Sequence, residues 1–152
     1  MAFDHINLVV KQLDDCRKFY ETVLGMTVTF EKHLSGPWFE QVTGIPGAEA
    51  DCLFLEFPDG GCRLELLCFN HLASQTPSAP LPSDPGFRHF AIRTDDMEGL
   101  KTRLIRAGCP VISAPVTVPF AVGSAGNQKT LFYFRDPEGN LVEASSYIQD
   151  GI

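Results

Sequence analysis

Phe3-Asp4-His5-Ile6-Asn7-Leu8-Val9-Val10 is the stretch that decides the fold, because its pattern returns as Phe87-Arg88-His89-Phe90-Ala91-Ile92-Arg93. A shift of 84 residues lays Phe3, His5, Ile6, Leu8 and Leu13 on Phe87, His89, Phe90, Ile92 and Met97. Further on, a shift of 78 lays Leu53, Phe54, Gly61, Leu64 and Glu65 on Leu131, Phe132, Gly139, Val142 and Glu143. A period of about 80 residues is too long for a solenoid and reads as one supersecondary module used twice. The six-residue difference between the shifts gives the first copy a longer middle loop.

Alternation of apolar and polar positions makes 3–10 a strand, with Ile6, Leu8 and Val10 on one face and His5, Asn7 and Val9 on the other. Leu13, Cys16, Tyr20, Val23 and Leu24 follow at helical spacing, with Asp14 and Asp15 as the start signal and Gly25 as the stop. Strands are expected over 26–32, 52–58 and 62–69, with a Gly- and Pro-punctuated loop over 35–50. The second copy repeats the order. It has a strand over 87–94, a helix over 96–107 behind Asp95 and ending at Gly108, and strands over 110–114, 129–135 and 140–148.

The expected fold class is therefore α+β, with two tandem βαβββ modules forming a curved mixed sheet around a metal-binding cleft. Residues 1–152 form one domain in this reading: 1–69 the first module, 70–86 an ordered linker carrying four prolines, and 87–152 the second module.

With 152 residues, 44% hydrophobic and 20% charged, the chain can bury a core without disulfides. A formal charge of −7 opposes nucleic acid or an anionic membrane as partner, since such binding needs clustered Lys and Arg. The chain opens on a strand-like run rather than a basic-then-apolar leader, and no apolar stretch approaches 18 residues, so a cytoplasmic setting is expected. Cys16, Cys52, Cys62, Cys68 and Cys109 are odd in number and lack Cys-x-x-Cys spacing. They read as mostly buried thiols rather than disulfides or zinc ligands.

The chemistry lies in His5, Glu65, His89 and Glu143. In each copy the first strand supplies a histidine and the last a glutamate, both on the face turned away from the helix. A single strand histidine is usually a hydrogen-bonded structural residue, and a single strand glutamate usually faces water. Four in symmetric register argue for a ligand set. Two imidazoles and two carboxylates suit a borderline divalent ion with two positions left for water or substrate oxygens. A divalent charge also removes the repulsion between two carboxylates drawn out of water. Asn7 and Tyr133 read as substrate orienters, and Arg93 as a substrate contact for an anion. Arg63 and Lys129 could serve similarly, though surface roles are the ordinary reading. His33 and His71 have no counterparts and read as surface or loop residues.

Phe3-Asp4-His5-Ile6, Phe19-Tyr20-x-x-Val23-Leu24-Gly25, Arg63-Leu64-Glu65-Leu66-Leu67 and Asp136-Pro137-Glu138-Gly139-Asn140-Leu141-Val142-Glu143 together resemble the vicinal oxygen chelate superfamily. That group contains glyoxalase I, methylmalonyl-CoA epimerase, fosfomycin-resistance proteins and extradiol dioxygenases. The ligand set is most similar to that of bacterial glyoxalase I.

The resemblance implies a metal-dependent isomerase or lyase. One divalent ion per site, nickel, cobalt or zinc ahead of iron or manganese, would chelate a substrate with vicinal oxygens and stabilise an enediolate. Glu143 is the expected base, with Glu65 able to act on the opposite face. Alternatives are an epimerase like that of methylmalonyl-CoA, an Fe(II) extradiol-type dioxygenase, and a metal-free bleomycin-resistance-like binding protein.

Homodimers are common in the family, and a homodimer is expected here. Two departures weaken a glutathione assignment: Val9 stands where bacterial glyoxalase I usually has arginine, and Asn70 sits one residue late. Twelve phenylalanines, with Trp38 and Phe39 in the loop, allow an apolar or aromatic substrate instead.

Overall fold

A computed structural model describes residues 3–71, 81–122 and 127–148. The chain divides into two compact units, Met1–Thr76 and Pro77–Ile152. Each builds a four-stranded mixed sheet with a helix on one face, which is the α+β, tandem βαβββ architecture expected.

In the first unit the elements are β1 (His5–Val9), α1 (Leu13–Thr22), β2 (Thr27–Leu34), α2 (Pro37–Thr43), β3 (Ala50–Glu56) and β4 (Arg63–Phe69). The sheet order is β1-β4-β3-β2, with β1 and β4 parallel and the other pairs antiparallel. The second unit has β5 (His89–Arg93), α3 (Met97–Arg106), β6 (Val116–Val122), β7 (Asn127–Arg135) and β8 (Leu141–Ile148) in the order β5-β8-β7-β6. The two parallel pairs place His5 beside Arg63 and His89 beside Leu141, in the same register.

The helices bury one stripe each: Cys16, Phe19 and Tyr20 from α1, and Leu100 and Leu104 from α3. Opposite them lie the sheet residues Leu53, Leu55, Leu64 and Leu66 in one unit and Phe132, Phe134, Val142 and Ala144 in the other, all nearly inaccessible to water. Burial of such side chains contributes about 1.5–3 kcal/mol each before entropy is counted. The opposite face of each sheet carries the polar residues of interest.

Helix starts differ in detail from expectation. Asp14 and Asp15 lie inside the first turn of α1 behind Gln12, where their charge favours the helix N-terminus rather than capping it. On α3 the cap is Asp96, one residue past Asp95, and its carboxylate accepts from Gly99 N at 2.9 Å.

Three larger corrections concern the middle of each unit. Residues 35–50 are not all loop, because Pro37 opens α2 and Gly44, at φ +70°, closes it. Seven residues are too few for helical periodicity to show, but proline at the start and glycine at the stop were legible. The strand expected over 110–114 is reduced to a bridge between Val111 and Phe134, and the ladder strand is β6, beyond Pro115. Proline cannot donate to a ladder, so Pro110 and Pro115 bracket a short interrupted edge.

The repeat itself slips by one residue in β3. Phe54 pairs with Glu65, whereas Tyr133 pairs with Glu143. Phe54 therefore corresponds to Tyr133 rather than Phe132, and the buried Leu53 and Leu55 correspond to Phe132 and Phe134. The extra residue lies in the β3–β4 turn, and a slip of one residue exchanges the two faces of a strand.

The 70–86 segment falls partly on residues 72–80, outside the described residues. Among the described residues no helix is long and apolar enough to cross a membrane.

Candidate metal centre

On the open face of the first unit, His5 Nε2 lies 3.4 Å from Glu65 Oε2. Both stand on neighbouring parallel strands two residues apart in register, so the βαβββ connection rather than chain proximity brings them together. Around the pair, Asn7 Nδ2 donates to Glu65 Oε2 at 2.9 Å, and Cys52 Sγ lies 3.6 Å from Oε1. His5 Nδ1 bonds Asp4 Oδ2 at 2.7 Å, and Asp4 is held in turn by Arg63 Nη2 at 2.6 Å.

That chain holds the imidazole with Nε2 facing Glu65, the outer arrangement usual for a metal-ligating histidine. The His5 hydrogen bond, followed by that of Arg63, holds the Asp4 carboxyl below its usual range. Burial first, and then the Glu65 charge, push the Cys52 thiol up to about 12, so at neutral pH it is a neutral donor and not a thiolate ligand.

The second unit repeats the pair. His89 Nε2 lies 3.5 Å from Glu143 Oε2. An aromatic ring meets each imidazole edge-on, Phe54 at 5.3 Å from His5 and Tyr133 at 5.2 Å from His89. The turn at residues 136–140 sets this register. The buried Asp136 carboxylate accepts from Glu138 N, Asn140 N and Asn140 Nδ2, and β7 and β8 leave the turn with Tyr133 opposite Glu143.

Glu143 is far more enclosed than Glu65, with side chains 6% and 16% exposed. Lys129 Nζ lies 2.5 Å from Glu143 Oε1, a close counter-charge against a buried oxygen. Burial opposes the Lys129 charge, but Glu143 outweighs it and holds the ammonium above the usual lysine range. Burial, then the Glu143 charge, push the Tyr133 phenol up, so it remains a neutral donor at physiological pH.

These distances bring together each expected His–Glu pair within its own unit. Among the described residues no three His, Cys, Asp or Glu side chains form a metal-holding group. The donor chemistry nonetheless fits a divalent ion: an imidazole Nε2 beside a carboxylate, twice.

Asn7 contacts Glu65, and Tyr133 stands at the His89 ring. Arg93 reaches neither pair and lies over the Tyr147 ring at 5.6 Å. Arg63 is committed to Asp4 and to the Phe54 ring at 4.7 Å. Lys129 overturns its surface reading, being 16% exposed and paired with Glu143. Sequence reasoning also passed over Asp4, Cys52 and Phe54. Asp4 precedes a ligand directly, a signal that was available, whereas Cys52 and Phe54 join the site only through the β3 register.

A duplicated βαβββ unit with a His–Glu pair on the open face of each sheet describes both halves of the chain. The chain belongs to the glyoxalase/bleomycin resistance protein/dioxygenase superfamily, whose family model matches residues 2–144. An uncharacterised protein of Pseudomonas aeruginosa is 31% identical over 149 residues, 93% of this chain and 85% of that one. Another uncharacterised protein, from Bacillus subtilis, is 26% identical over 141 residues, 92% and 93% of the two chains.

Among solved structures, a glyoxalase family protein of Bacillus cereus superposes with a TM-score of 0.81 at 21% identity, over 97% of this chain and 95% of the other. The trypanothione-dependent glyoxalase I of Leishmania major gives 0.62 at 20%, over 95% and 85%. These two similarities concern the fold.

Proposed function

We propose that the chain is a metal-dependent isomerase or lyase of the glyoxalase I type, with His5, Glu65, His89 and Glu143 holding one divalent ion, nickel, cobalt or zinc by preference. The observation that supports this is the twice-repeated approach of an imidazole Nε2 to a carboxylate, at 3.4 and 3.5 Å, on the open face of a sheet. The ion would supply Lewis acidity to vicinal substrate oxygens, making a neighbouring C–H acidic.

Glu143 is the better placed base. Its enclosure excludes water that would otherwise exchange with a proton taken from the substrate carbon. Lys129 sets its ammonium against the Glu143 carboxylate. Tyr133, a neutral donor beside His89, can hydrogen-bond the oxygen on which charge develops. Glu65 is steadied by Asn7 and by the Cys52 thiol, which keeps it oriented as a ligand.

Elemental analysis of the purified protein, coupled to assays with methylglyoxal and a series of thiols, tests the proposal. The expected result is a retained divalent metal, lost in His89→Ala, with thiol-dependent isomerisation. A chain that retains no divalent metal and turns over no hemithioacetal refutes it.

A further inference from the structure

Beyond the His–Glu row, the open faces of the two units diverge. In the first, the next rows along the strands hold Val9, Leu67 and Cys52, and then Phe69 and Ala50. Helix α2 covers that end: Phe39 stacks on Phe69 at 5.9 Å and an interplanar angle of 17°, and Ala48, Ala50, Leu34 and Leu67 complete an apolar cluster. The surface is closed by its own chain.

At the same rows of the second unit stand Arg93, Ser145 and Leu131, and then Tyr147 and Lys129. Among the described residues no helix lies between β6 and β7 to cover them. The Arg93 guanidinium carbon is 5.6 Å from the Tyr147 ring centre, and Lys129 Nζ is 5.7 Å from the same ring. No carboxylate among the described residues pairs with Arg93, although Arg17, Arg63 and Arg103 all have one. Lys129 spans the gap, reaching Glu143 on one side and the Tyr147 ring on the other.

Two cations on either side of a half-buried aromatic ring, on a face left uncovered beside a proposed base, form a place for an anion with an apolar neighbour. Strand residues rise about 3.3 Å each, so the Arg93 row lies roughly 7 Å from the Glu143 row. The geometry points to a second recognition element on this face. Arg93 and Lys129 bind a carboxylate of the substrate, its adjoining carbons lie on Tyr147, and its vicinal oxygens are presented beside His89 and Glu143. This rests on the proposed metal centre and names its substrate class: a vicinal-oxygen compound with a carboxylate a few bonds away. Guanidinium suits the role because its planar fork matches two carboxylate oxygens.

Calorimetry on the full-length, zinc-loaded protein tests it with straight-chain 2-oxo-dicarboxylates of four, five and six carbons, and with 2-oxobutanoate. All four probes carry vicinal oxygens, but 2-oxobutanoate lacks the distal carboxylate. At least one dicarboxylate is expected to bind tenfold or more tightly than 2-oxobutanoate. Arg93→Gln and Lys129→Gln, each checked by circular dichroism for an unchanged fold, should remove that advantage, and Arg93→Gln should leave 2-oxobutanoate binding within twofold.

Equal binding of all four probes overturns the carboxylate site while leaving the metal centre standing. An advantage that survives in both variants also overturns it. If no probe binds, the inference again fails, and the metal content of the same sample shows separately whether the metal reading fails with it.

Discussion

Both units present an imidazole and a carboxylate on equivalent strands, at 3.4 and 3.5 Å, yet the groups behind those pairs differ in charge. Behind His5 stands Asp4, an exposed carboxylate that orients the ring, and Glu65 is met by neutral donors, Asn7 and Cys52. At the position of Asp4 the second unit has Arg88, and Glu143 is met by Lys129. The first unit surrounds its pair with a carboxylate and neutral donors, the setting the proposal gives to ligands alone. The second surrounds its pair with cations, and there the proposal puts the base. Duplication has preserved the inner positions and let the outer ones specialise.

The largest expected effect concerns the register on which this equivalence rests. Phe132→Ala should lower stability by about 3–5 kcal/mol in urea unfolding, because a fully buried ring is replaced by a cavity. Leu131→Ala, on the partly exposed face, should cost about 1 kcal/mol. If the two costs were reversed, Leu131 would be the counterpart of Leu53 and the one-residue slip would be refuted.

Next comes the contrast between the two carboxylates. Glu143→Gln should weaken divalent-metal binding more than about a hundredfold by competition with a chromophoric chelator, exceeding the range usual for outer partners. Glu65→Gln, at a less enclosed position, should cost less, and equal losses would remove the distinction between the units.

Asp4→Asn probes the outer partner that only the first unit has. It should reduce metal affinity about ten- to a hundredfold by the same assay while leaving thermal stability nearly unchanged. No change would show that Asp4 does not orient His5.

The last effect, confined to alkaline pH, is the response of Cys52. Its folded value of about 12 lies above the ordinary value of 9.0. The unfolded chain therefore loses this proton first, and the stability contribution is whole below pH 9 and is lost as pH rises toward 12. Stability measured across that window should fall less steeply in Cys52→Ala, and alkylation at neutral pH should reach the exposed Cys62 well before Cys52.

The duplicated strand–helix–strand order and the membership of His5, Glu65, His89 and Glu143 in one face per module were readable from the chain. Both depend on local periodicity, and a two-residue period assigns side chains to faces without knowledge of partners. Helix α2 escaped because seven residues do not establish a 3.6-residue period. Residues 110–114 misled because prolines broke the ladder at both ends. Lys129 looked like an ordinary surface lysine, since nothing in its neighbours along the chain announces Glu143, 14 positions away and on the adjacent strand.

What the sequence alone determined is therefore the module, its repetition and the facing of residues on the first and last strand of each module. Only the tertiary structure decided the one-residue slip of β3, the closure of one open face by α2, and the pairing of Lys129 with Glu143. The physical reason is range: backbone geometry propagates a face assignment along one strand, whereas register between strands and the reach of a long side chain depend on turns and packing that no local pattern encodes.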